Sequence, residues 1–287
     1  MSNESHQANG LTNLLPKLTP WLCIAGAKGG VGKTMLASNI SLLLARAGYR
    51  TLLVDFDPGT GNVGVHLRLQ GERDLEDVAM HRCTVHEAIV QGPGRLQVLL
   101  GRSGPTEMTT SSTAQIAEVL RSIRTAASDF DVVVFDTGAG LNPSTVAVAE
   151  QCDLTLGVTT PEVTSLTDAY ALCKVLHARG CPLPHLVVNR TRSRDEARRT
   201  AGKLNAVTAK FLDIESELAG WINLDPQIET SIRNQRPLTL YGQCQGLEDL
   251  RSICAAALAA LPPMKRRQEP REEAVRSVRL RPRARQA

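Results

Sequence analysis

The sequence has no run of apolar residues long enough to cross a lipid bilayer. The longest such run late in the chain, residues 253–261, is much shorter than the roughly 20 residues of a membrane-spanning helix. The first ten residues, MSNESHQANG, are polar and lack the basic and then apolar segments of a secretory signal. We therefore expect a protein that is neither secreted nor embedded in a membrane.

Closely spaced cysteine pairs are also missing. The chain has seven cysteines, which is an odd number, and none of them forms a C-x-x-C pair. This pattern argues against both a disulfide framework and a zinc site. Free thiols are stable in a reducing compartment, so we expect a cytoplasmic protein.

The folded body lacks an excess of positive charge. The whole chain has a formal charge of +4, while residues 263–287 hold nine Lys or Arg against three Glu. The tail thus carries all of the excess, and we expect it to be disordered in isolation. It is either a solvated tail or a segment attracted to nucleic acid or to anionic lipid, which would place the protein peripherally at the inner face of the cell membrane or at the cell pole.

The most informative segment that is present is GAKGGVGKT at residues 26–34, which has the phosphate-loop spacing G-x-x-x-x-G-K-[ST]. Apolar residues 21–25 before it predict a buried strand, and apolar residues at helical spacing after it predict a helix that ends near Gly48. Backbone N–H groups of such a loop, together with the helix dipole, bind phosphate oxygens. The predicted nucleotide-binding residues are Gly29, Gly30, Val31, Gly32, Lys33, Thr34 and Met35.

Two of these side chains have specific roles in the predicted site. Lys33 is expected to contact the β- and γ-phosphates, and the Thr34 hydroxyl is expected to ligate Mg²⁺. The cofactors implied by the loop are a nucleoside triphosphate and Mg²⁺. We accordingly divide the chain into a flexible leader at 1–19 that could bind a partner, a P-loop ATPase domain at 20–262, and the basic tail at 263–287.

Carboxylates follow two further buried strands. The apolar run 51–54 leads to Asp55 and Asp57, and the run 132–135 leads to Asp136. Carboxyl ends of parallel strands meet at one edge of a sheet, so these acids should converge on the phosphate loop. Asp136 is the expected magnesium ligand, and Gly138 can bring a backbone N–H near the γ-phosphate.

Strand and helix patterns alternate along the rest of the chain. Strands are predicted at 95–100, 154–158 and 186–188, and helices at 113–127, 164–178 and 194–212, with a last helical region after 225 that Pro237 interrupts. This alternation predicts a doubly wound α/β fold whose mostly parallel sheet is flanked by helices. Asn189 ends the strand at 186–188, where its amide could either cap a helix or contact a base.

Lys28 is a second lysine in the phosphate loop, and the resulting KGGVGKT pattern resembles the deviant Walker motif of the MinD/ParA family. The resemblance implies an ATP-dependent sandwich dimer in which Lys28 reaches the phosphates of the partner's nucleotide. It also implies that Asp57 orients the attacking water and that Asp55 supports the metal. Asn189 and the adjacent Arg190 would contact the nucleotide.

Three segments resemble the FlhG (FleN/YlxH) group within that family. They are DTGAG at 136–140, TTPEVTSLTDAY at 159–170 and NRTRS at 189–193. In the second segment, Thr164 or Ser165 is expected to cap the following helix. The resemblance implies a slow ATPase that controls flagellar number and placement.

The same resemblance implies the partners of the protein. They would be an FlhF-type GTPase, flagellar switch proteins or a transcriptional regulator. The GTPase-activating segment of that group reads D-Q-A-x-x-L-R, and residues 6–12, HQANGLT, match only its Gln, Ala and Leu positions.

Other functional classes remain open. The segment DPGTGN at 57–62 is partly like ParA proteins, so partitioning of DNA or another cargo is an alternative. A metabolic ATP-dependent enzyme is a further alternative, although no second pocket is evident in the sequence. A nitrogenase-type iron protein is contradicted by Ala139, which stands where that class has a cysteine ligand.

Overall fold

A computed structural model describes residues 19–102, 104, 112–241 and 243–264. Almost all of the predicted leader and tail lies outside these residues, and so do the predictions that concern them. Within the described part, no helix is both long enough and apolar enough to cross a membrane.

The described residues include an eight-stranded sheet. Its spatial order is β3-β4-β2-β5-β1-β6-β7-β8. The pair of β3 and β4 is antiparallel, and the other six pairs of neighbouring strands are parallel. In chain order the strands are β1 (Trp21–Ala25), β2 (Thr51–Phe56), β3 (Ile89–Gln91), β4 (Gln97–Leu99), β5 (Val132–Thr137), β6 (Leu154–Thr159), β7 (His185–Thr191) and β8 (Leu218–Asn223).

Helices pack on both faces of the sheet, which confirms the predicted fold class. In chain order they are α1 (Lys33–Arg46), α2 (Val63–Leu67), α3 (Leu75–Ala79), α4 (Val85–Ala88), α5 (Thr113–Ala126), α6 (Pro143–Gln151), α7 (Val163–Ala178), α8 (Arg194–Leu212), α9 (Pro226–Arg233) and α10 (Gln245–Ala260). Short 3₁₀ segments cover Pro93–Arg95, Ala127–Asp129 and Leu238–Leu240.

Alternate side chains of the strands enter two different cores, because successive residues of a strand point to opposite faces of the sheet. In β1, Leu22 and Ile24 join the core that includes Ile40 of α1. Trp21 and Cys23, from the same strand, join the opposite core. Burial on both faces explains why the strands are nearly continuous apolar runs.

The structure also contains elements that the sequence patterns did not predict. Helix α6 begins at Pro143 after the capping residue Asn142, but its Thr and Val residues have low helix propensity. Strand β3 spans three residues, which is too short for a recognisable alternation. The predicted strand at 95–100 is observed as the shorter β4, because Pro93–Arg95 forms a 3₁₀ turn.

His66 is a buried histidine whose protonation should affect stability. It lies on α2 with 7% of its surface exposed, and neither ring nitrogen has a hydrogen-bond partner among the described residues. Burial lowers its pKa from 6.5 to about 4, since desolvation disfavours the charged imidazolium.

We expect His66 to destabilise the fold as the solution is acidified. Between pH 6.5 and 4 the unfolded chain binds a proton at this site and the folded chain does not, so stability decreases as the pH falls through this window. The full loss corresponds to about 3 kcal/mol. Urea denaturation of the wild type and of His66→Phe across this range would measure it. The variant should lose less stability on acidification, and parallel pH profiles would contradict the assignment.

Candidate active site

The candidate site lies at the carboxyl ends of the central strands. Strand β1 lies between β5 and β6, and the loop after it leads directly into α1. Strands β2 to β5 lie on one side of β1, and strands β6 to β8 lie on the other side. The direction in which successive strands are added therefore reverses at β1, and open α/β sheets bind ligands at such a point. The phosphate loop and the predicted acidic residues therefore belong to one edge of the sheet.

Glycines give the phosphate loop its conformation. Gly30 and Gly32 have φ angles of 75° and 102°, which residues with a Cβ atom rarely adopt. At Gly26, an added Cβ would lie 2.7 Å from the carbonyl oxygen of Val158, so a side chain would clash with β6. Helix α1 begins after Gly32 without a side-chain cap, which leaves its first N–H groups free to bind an anion.

Lys33 is a buried cation at the start of α1, with 8% of its surface exposed. Burial lowers the pKa of its ammonium, and the negative charges of Asp136 and Asp57 oppose this effect. The structure therefore brings the predicted phosphate-binding lysine close to two of the three predicted acids. A desolvated ammonium in this position would interact strongly with a phosphate group.

Asp55 and Asp136 are neighbours in register on β2 and β5, and both are buried. Burial raises the pKa of Asp55 well above its ordinary value, and the adjacent Asp136 adds to the increase. Burial also raises the pKa of Asp136 to about 7, although the Thr34 hydroxyl and Lys33 lower it. Two desolvated carboxyl groups side by side are costly unless a cation is bound between or beside them.

These residues fit a magnesium ion. Oδ1 of Asp55 and Oδ1 of Asp136 are buried without a hydrogen-bond partner in the described structure, and the Thr34 hydroxyl lies beside Asp136. The described residues include no group of three or more His, Cys, Asp or Glu side chains that could hold a metal by themselves. The two buried carboxylates and the adjacent hydroxyl match the usual Mg²⁺ site, in which one or two carboxylates act together with water and nucleotide phosphates.

Asp57 lies against the segment that follows β5. An added Cβ at Gly138 would be 2.6 Å from Oδ1 of Asp57, so glycine is required for this close approach. The hydroxyl of Thr137 donates to the carbonyl oxygen of Ile24 at 3.0 Å and joins β5 to β1 just before this point. The predicted water-orienting acid and the predicted γ-phosphate sensor are therefore in contact.

Lys28 is bound by a different part of the chain. Its ammonium forms a salt bridge with Glu162 and donates to Oγ1 of Thr164 at 2.9 Å. The prediction that Thr164 or Ser165 caps α7 is wrong, because the helix begins one residue earlier and its N-cap residue, Glu162, makes no side-chain cap bond. Instead, Oγ of Ser165 accepts a hydrogen bond from the backbone N–H of Thr160.

Asn189 and Arg190 occupy an irregular end of β7, where the pairing with β8 shifts register. Nδ2 of Asn189 donates to the carbonyl oxygen of Val31 at 2.7 Å, and its Oδ1 accepts from the backbone N–H of Arg190 at 2.8 Å. Arg190 itself has a φ of 57°. Asn189 thus binds the phosphate loop directly, a contact that the sequence did not predict.

A pocket of about 320 Å³ lies beyond Asn189 and Arg190. Gly32 and Met35 form one side of it. On the other side are the apolar side chains of Leu224, from the loop after β8, and of Ile228 and Ile232, from α9. Asn223, Asp225 and Glu229 also line the pocket. An apolar wall together with amide and carboxylate groups suits a flat heterocyclic base that carries hydrogen-bonding atoms. The predicted base contacts of Asn189 and Arg190 remain predictions, and the apolar wall had no signal in the sequence beyond its helical spacing.

Replacing Asn189 with alanine should destabilise the nucleotide-free protein. The change removes the donor to Val31 and leaves a buried carbonyl unpaired, which costs about 1–3 kcal/mol. The measurement is the free energy of unfolding in urea, with Asn234→Ala on the exposed end of α9 as the control. Equal stability of the two variants would show that the bond to the loop contributes nothing.

Comparison with known proteins assigns the family. Residues 22–238 match the family described as the CobQ/CobB/MinD/ParA nucleotide binding domain. The chain belongs to this family. The resemblance deduced from the doubled lysine is therefore confirmed, and the chain contains a nucleotide-binding domain.

Relatives at the level of sequence include two flagellar proteins. The chain is 36% identical to the antiactivator FleN of Pseudomonas aeruginosa, over 75% of this chain and 77% of that protein. It is 26% identical to the flagellum site-determining protein YlxH of Helicobacter pylori, over 83% and 84% of the two chains. It is also 34% identical to the septum site-determining protein MinD of Bacillus subtilis, over 60% and 65%. These matches agree with the predicted FlhG-like segments.

Solved structures of MinD proteins share the fold. The cell division ATPase MinD of Pyrococcus furiosus superposes with a TM-score of 0.72 at 23% identity, over 84% of this chain and 99% of that chain. MinD of Pyrococcus horikoshii, complexed with Mg-ADP, gives 0.70 at 22% identity, over 83% and 95%. At this level of identity the superpositions show the fold alone.

Proposed function

We propose that this protein is a slow, Mg²⁺-dependent ATPase that dimerises when it binds ATP and regulates flagellar number and placement. The observation that carries the biological role is the 36% identity to FleN over 75% of the chain. The proximity of the buried Lys33 and Asp136 to the partly buried Asp57 supports the chemistry. It supplies a phosphate-binding cation, a water-orienting acid and a metal ligand in one place.

The residues around the phosphate loop divide the hydrolysis between them. Bound Mg²⁺ would neutralise charge that develops on the phosphate oxygens. Lys33 would hold the β- and γ-phosphates, while Thr34, Asp55 and Asp136 would hold the metal or its water ligands. Asp57 orients a water molecule, whose oxygen forms a bond to the γ-phosphorus as the bond to the bridging oxygen of ADP breaks.

Lys28 explains the proposed dimer. Lys33 already serves the phosphates of its own chain, and Lys28 points instead to Glu162 and Thr164 at the edge of the site. In the proposed sandwich, Lys28 reaches the phosphates of the nucleotide in the second copy. Loss of the γ-phosphate would remove contacts to the segments at Asp57 and Gly138 and return the dimer to monomers.

The proposed partners follow from the flagellar relatives. A transcriptional regulator suits the description of FleN as an antiactivator, and an FlhF-type GTPase or flagellar switch proteins suit the site-determining role of YlxH. The protein would act in the cytoplasm, at the inner face of the cell membrane or the pole. The leader and the basic tail, which could contact the GTPase and anionic lipid respectively, lie almost entirely outside the described residues.

Counting flagella tests the biological role. We expect deletion of the gene to change the number of flagella per cell in electron micrographs, and the wild-type gene to restore it. Genes encoding Lys33→Ala or Asp57→Ala should fail to restore the number although their products accumulate normally. Unchanged flagella in the deletion strain would contradict the flagellar role but not the ATPase.

One observation favours the alternative of DNA or cargo positioning. The residues before α8 and the exposed face of its first half carry a group of cations, although the first turn of the helix also holds Asp195 and Glu196. The group consists of Arg192, Arg194, Arg198, Arg199 and Lys203. Such a surface suits the phosphate backbone of duplex DNA.

A DNA-binding assay separates the two functions. The alternative predicts that the Asp57→Ala variant with ATP binds duplex DNA of unrelated sequence and that added salt weakens this binding. The double substitution Arg198→Ala and Arg199→Ala should abolish the binding. Absence of binding at low salt in both ATP and ADP would reject the alternative.

A further inference from the structure

Glu162 is the one acidic side chain that contacts Lys28 in the described structure. It comes from the segment between β6 and α7, far along the chain from the phosphate loop. The Thr164 hydroxyl approaches the same ammonium at 2.9 Å. Lys28 is therefore held by two groups on its own chain, and its side chain is 34% exposed.

The position of Glu162 is unusual for a glutamate. It is the N-cap residue of α7 and makes no cap bond, although short polar side chains are favoured there because they bond the first N–H groups. Its side chain binds Lys28 instead. The geometry thus directs an exposed carboxylate, at the positive end of a helix, toward the lysine that distinguishes this loop.

A second cation lies within reach of the same carboxylate. Lys28 is the main cause of the lowered pKa of Glu162, and Arg190 contributes a smaller decrease. Arg190 is at the irregular end of β7, with a left-handed backbone. The Glu162 carboxylate thus lies near two cations, and Lys28 is the one that forms an ion pair with it in the described structure.

We infer that Glu162, with Thr164, holds Lys28 within the monomer and must release it before Lys28 can bind the nucleotide of a second copy. Glu162 is thus a positioning residue that opposes dimerisation. The inference rests on the proposed dimer, because one ammonium cannot bind Glu162 and the partner's phosphates at once. It gives the TTPEVTSLTDAY segment a role beyond starting a helix.

The size of the effect follows from the exposure of the pair. Exposed ion pairs are weak, so breaking one pair between Glu162 and Lys28 changes the equilibrium constant for dimerisation by no more than about fivefold. Two lysines are released per dimer, so the restraint amounts to about 3- to 25-fold in the dimer dissociation constant. A restraint of this size tunes the switch without preventing it.

The dimer dissociation constant tests the inference. Sedimentation velocity with ATP and Mg²⁺ would compare three proteins. They are Asp57→Ala alone, Asp57→Ala combined with Glu162→Gln, and Asp57→Ala combined with the matched control Glu248→Gln. Glu248 forms an exposed pair with Arg251 on α10, and neither residue contacts Lys28 or lines the pocket beside Asn189. Glu162→Gln should tighten the dimer by about 3- to 25-fold, and Glu248→Gln should not change it. An unchanged or weaker Glu162→Gln dimer would overturn the inference.

A second measurement does not depend on the dimer. The acylation rate of the Lys28 amine in nucleotide-free protein, followed by mass spectrometry, should increase in Glu162→Gln and in Thr164→Val but not in Glu248→Gln. Equal rates in all variants would also overturn the inference. If Asp57→Ala stays monomeric with ATP while acylation responds as expected, the dimer is wrong and the contact between Glu162 and Lys28 stands.

Discussion

Replacing Asp57 with alanine is expected to lower kcat for ATP hydrolysis by about 10²- to 10⁴-fold, the usual contribution of a positioned acid or base. ATP affinity should change little, because Lys33, Thr34 and the loop N–H groups are untouched. Steady-state phosphate release and equilibrium binding of ATP measure the two quantities. Asp57 contacts Gly138, the predicted γ-phosphate sensor, and it does not line the pocket beside Asn189.

The asparagine variant serves as the control for Asp57. Asp57→Asn retains the shape and loses the charge, so it should resemble Asp57→Ala if the charge is needed. Hydrolysis within threefold of the wild type in both variants would show that another group orients the water. A parallel loss of ATP affinity would instead assign Asp57 to nucleotide binding.

Replacing Lys33 with alanine is expected to weaken ATP binding by about 30-fold or more. Truncating one member of a buried, charge-paired contact costs about 2–5 kcal/mol, and Lys33 is buried beside Asp136 and Asp57. Isothermal titration with ATP and Mg²⁺ measures the loss. Lys174→Ala, at an exposed position on α7, should bind ATP like the wild type.

The Lys33 variant also affects the empty protein. Without the ammonium, the buried carboxylates lose a favourable charge, so the pKa of Asp136 should rise further. A thermal unfolding curve shows whether the variant is folded when its affinity is measured. Binding within threefold of the wild type by a folded variant would contradict the proposed nucleotide site.

The phosphate loop and the acidic strand ends could be predicted because both depend on local patterns. A buried strand must end where its apolar run ends, so Asp55 and Asp136 were assigned correctly to one edge of the sheet. The glycines of the loop mark backbone angles that other residues avoid. These features need only a few neighbouring residues to be recognised.

Other features of the site depend on contacts between distant segments. The contact of Lys28 with Glu162 joins the first strand-to-helix loop to the segment before α7. The bond from Asn189 to Val31 similarly depends on the register shift at the end of β7. No spacing in the sequence encodes either distance, so packing alone determines them.

Helix starts were less predictable than strand ends. Thr164 and Ser165 are residue types that favour the N-cap position, but Thr164 binds Lys28 and Ser165 binds the preceding loop. Helix α6 was missed because its β-branched residues weaken a helical pattern that Asn142 and Pro143 do begin. In both cases tertiary contacts outweigh local propensity.

Oligomeric mass in solution is the most direct test of the ATP-dependent dimer. Multi-angle light scattering would compare Asp57→Ala with ADP and with ATP, each with Mg²⁺, and then the same protein carrying Lys28→Ala. The account predicts a monomer with ADP and a doubled mass with ATP. The protein that carries Lys28→Ala should be a monomer with either nucleotide. A mass that does not respond to ATP, or a dimer that persists without Lys28, would contradict it.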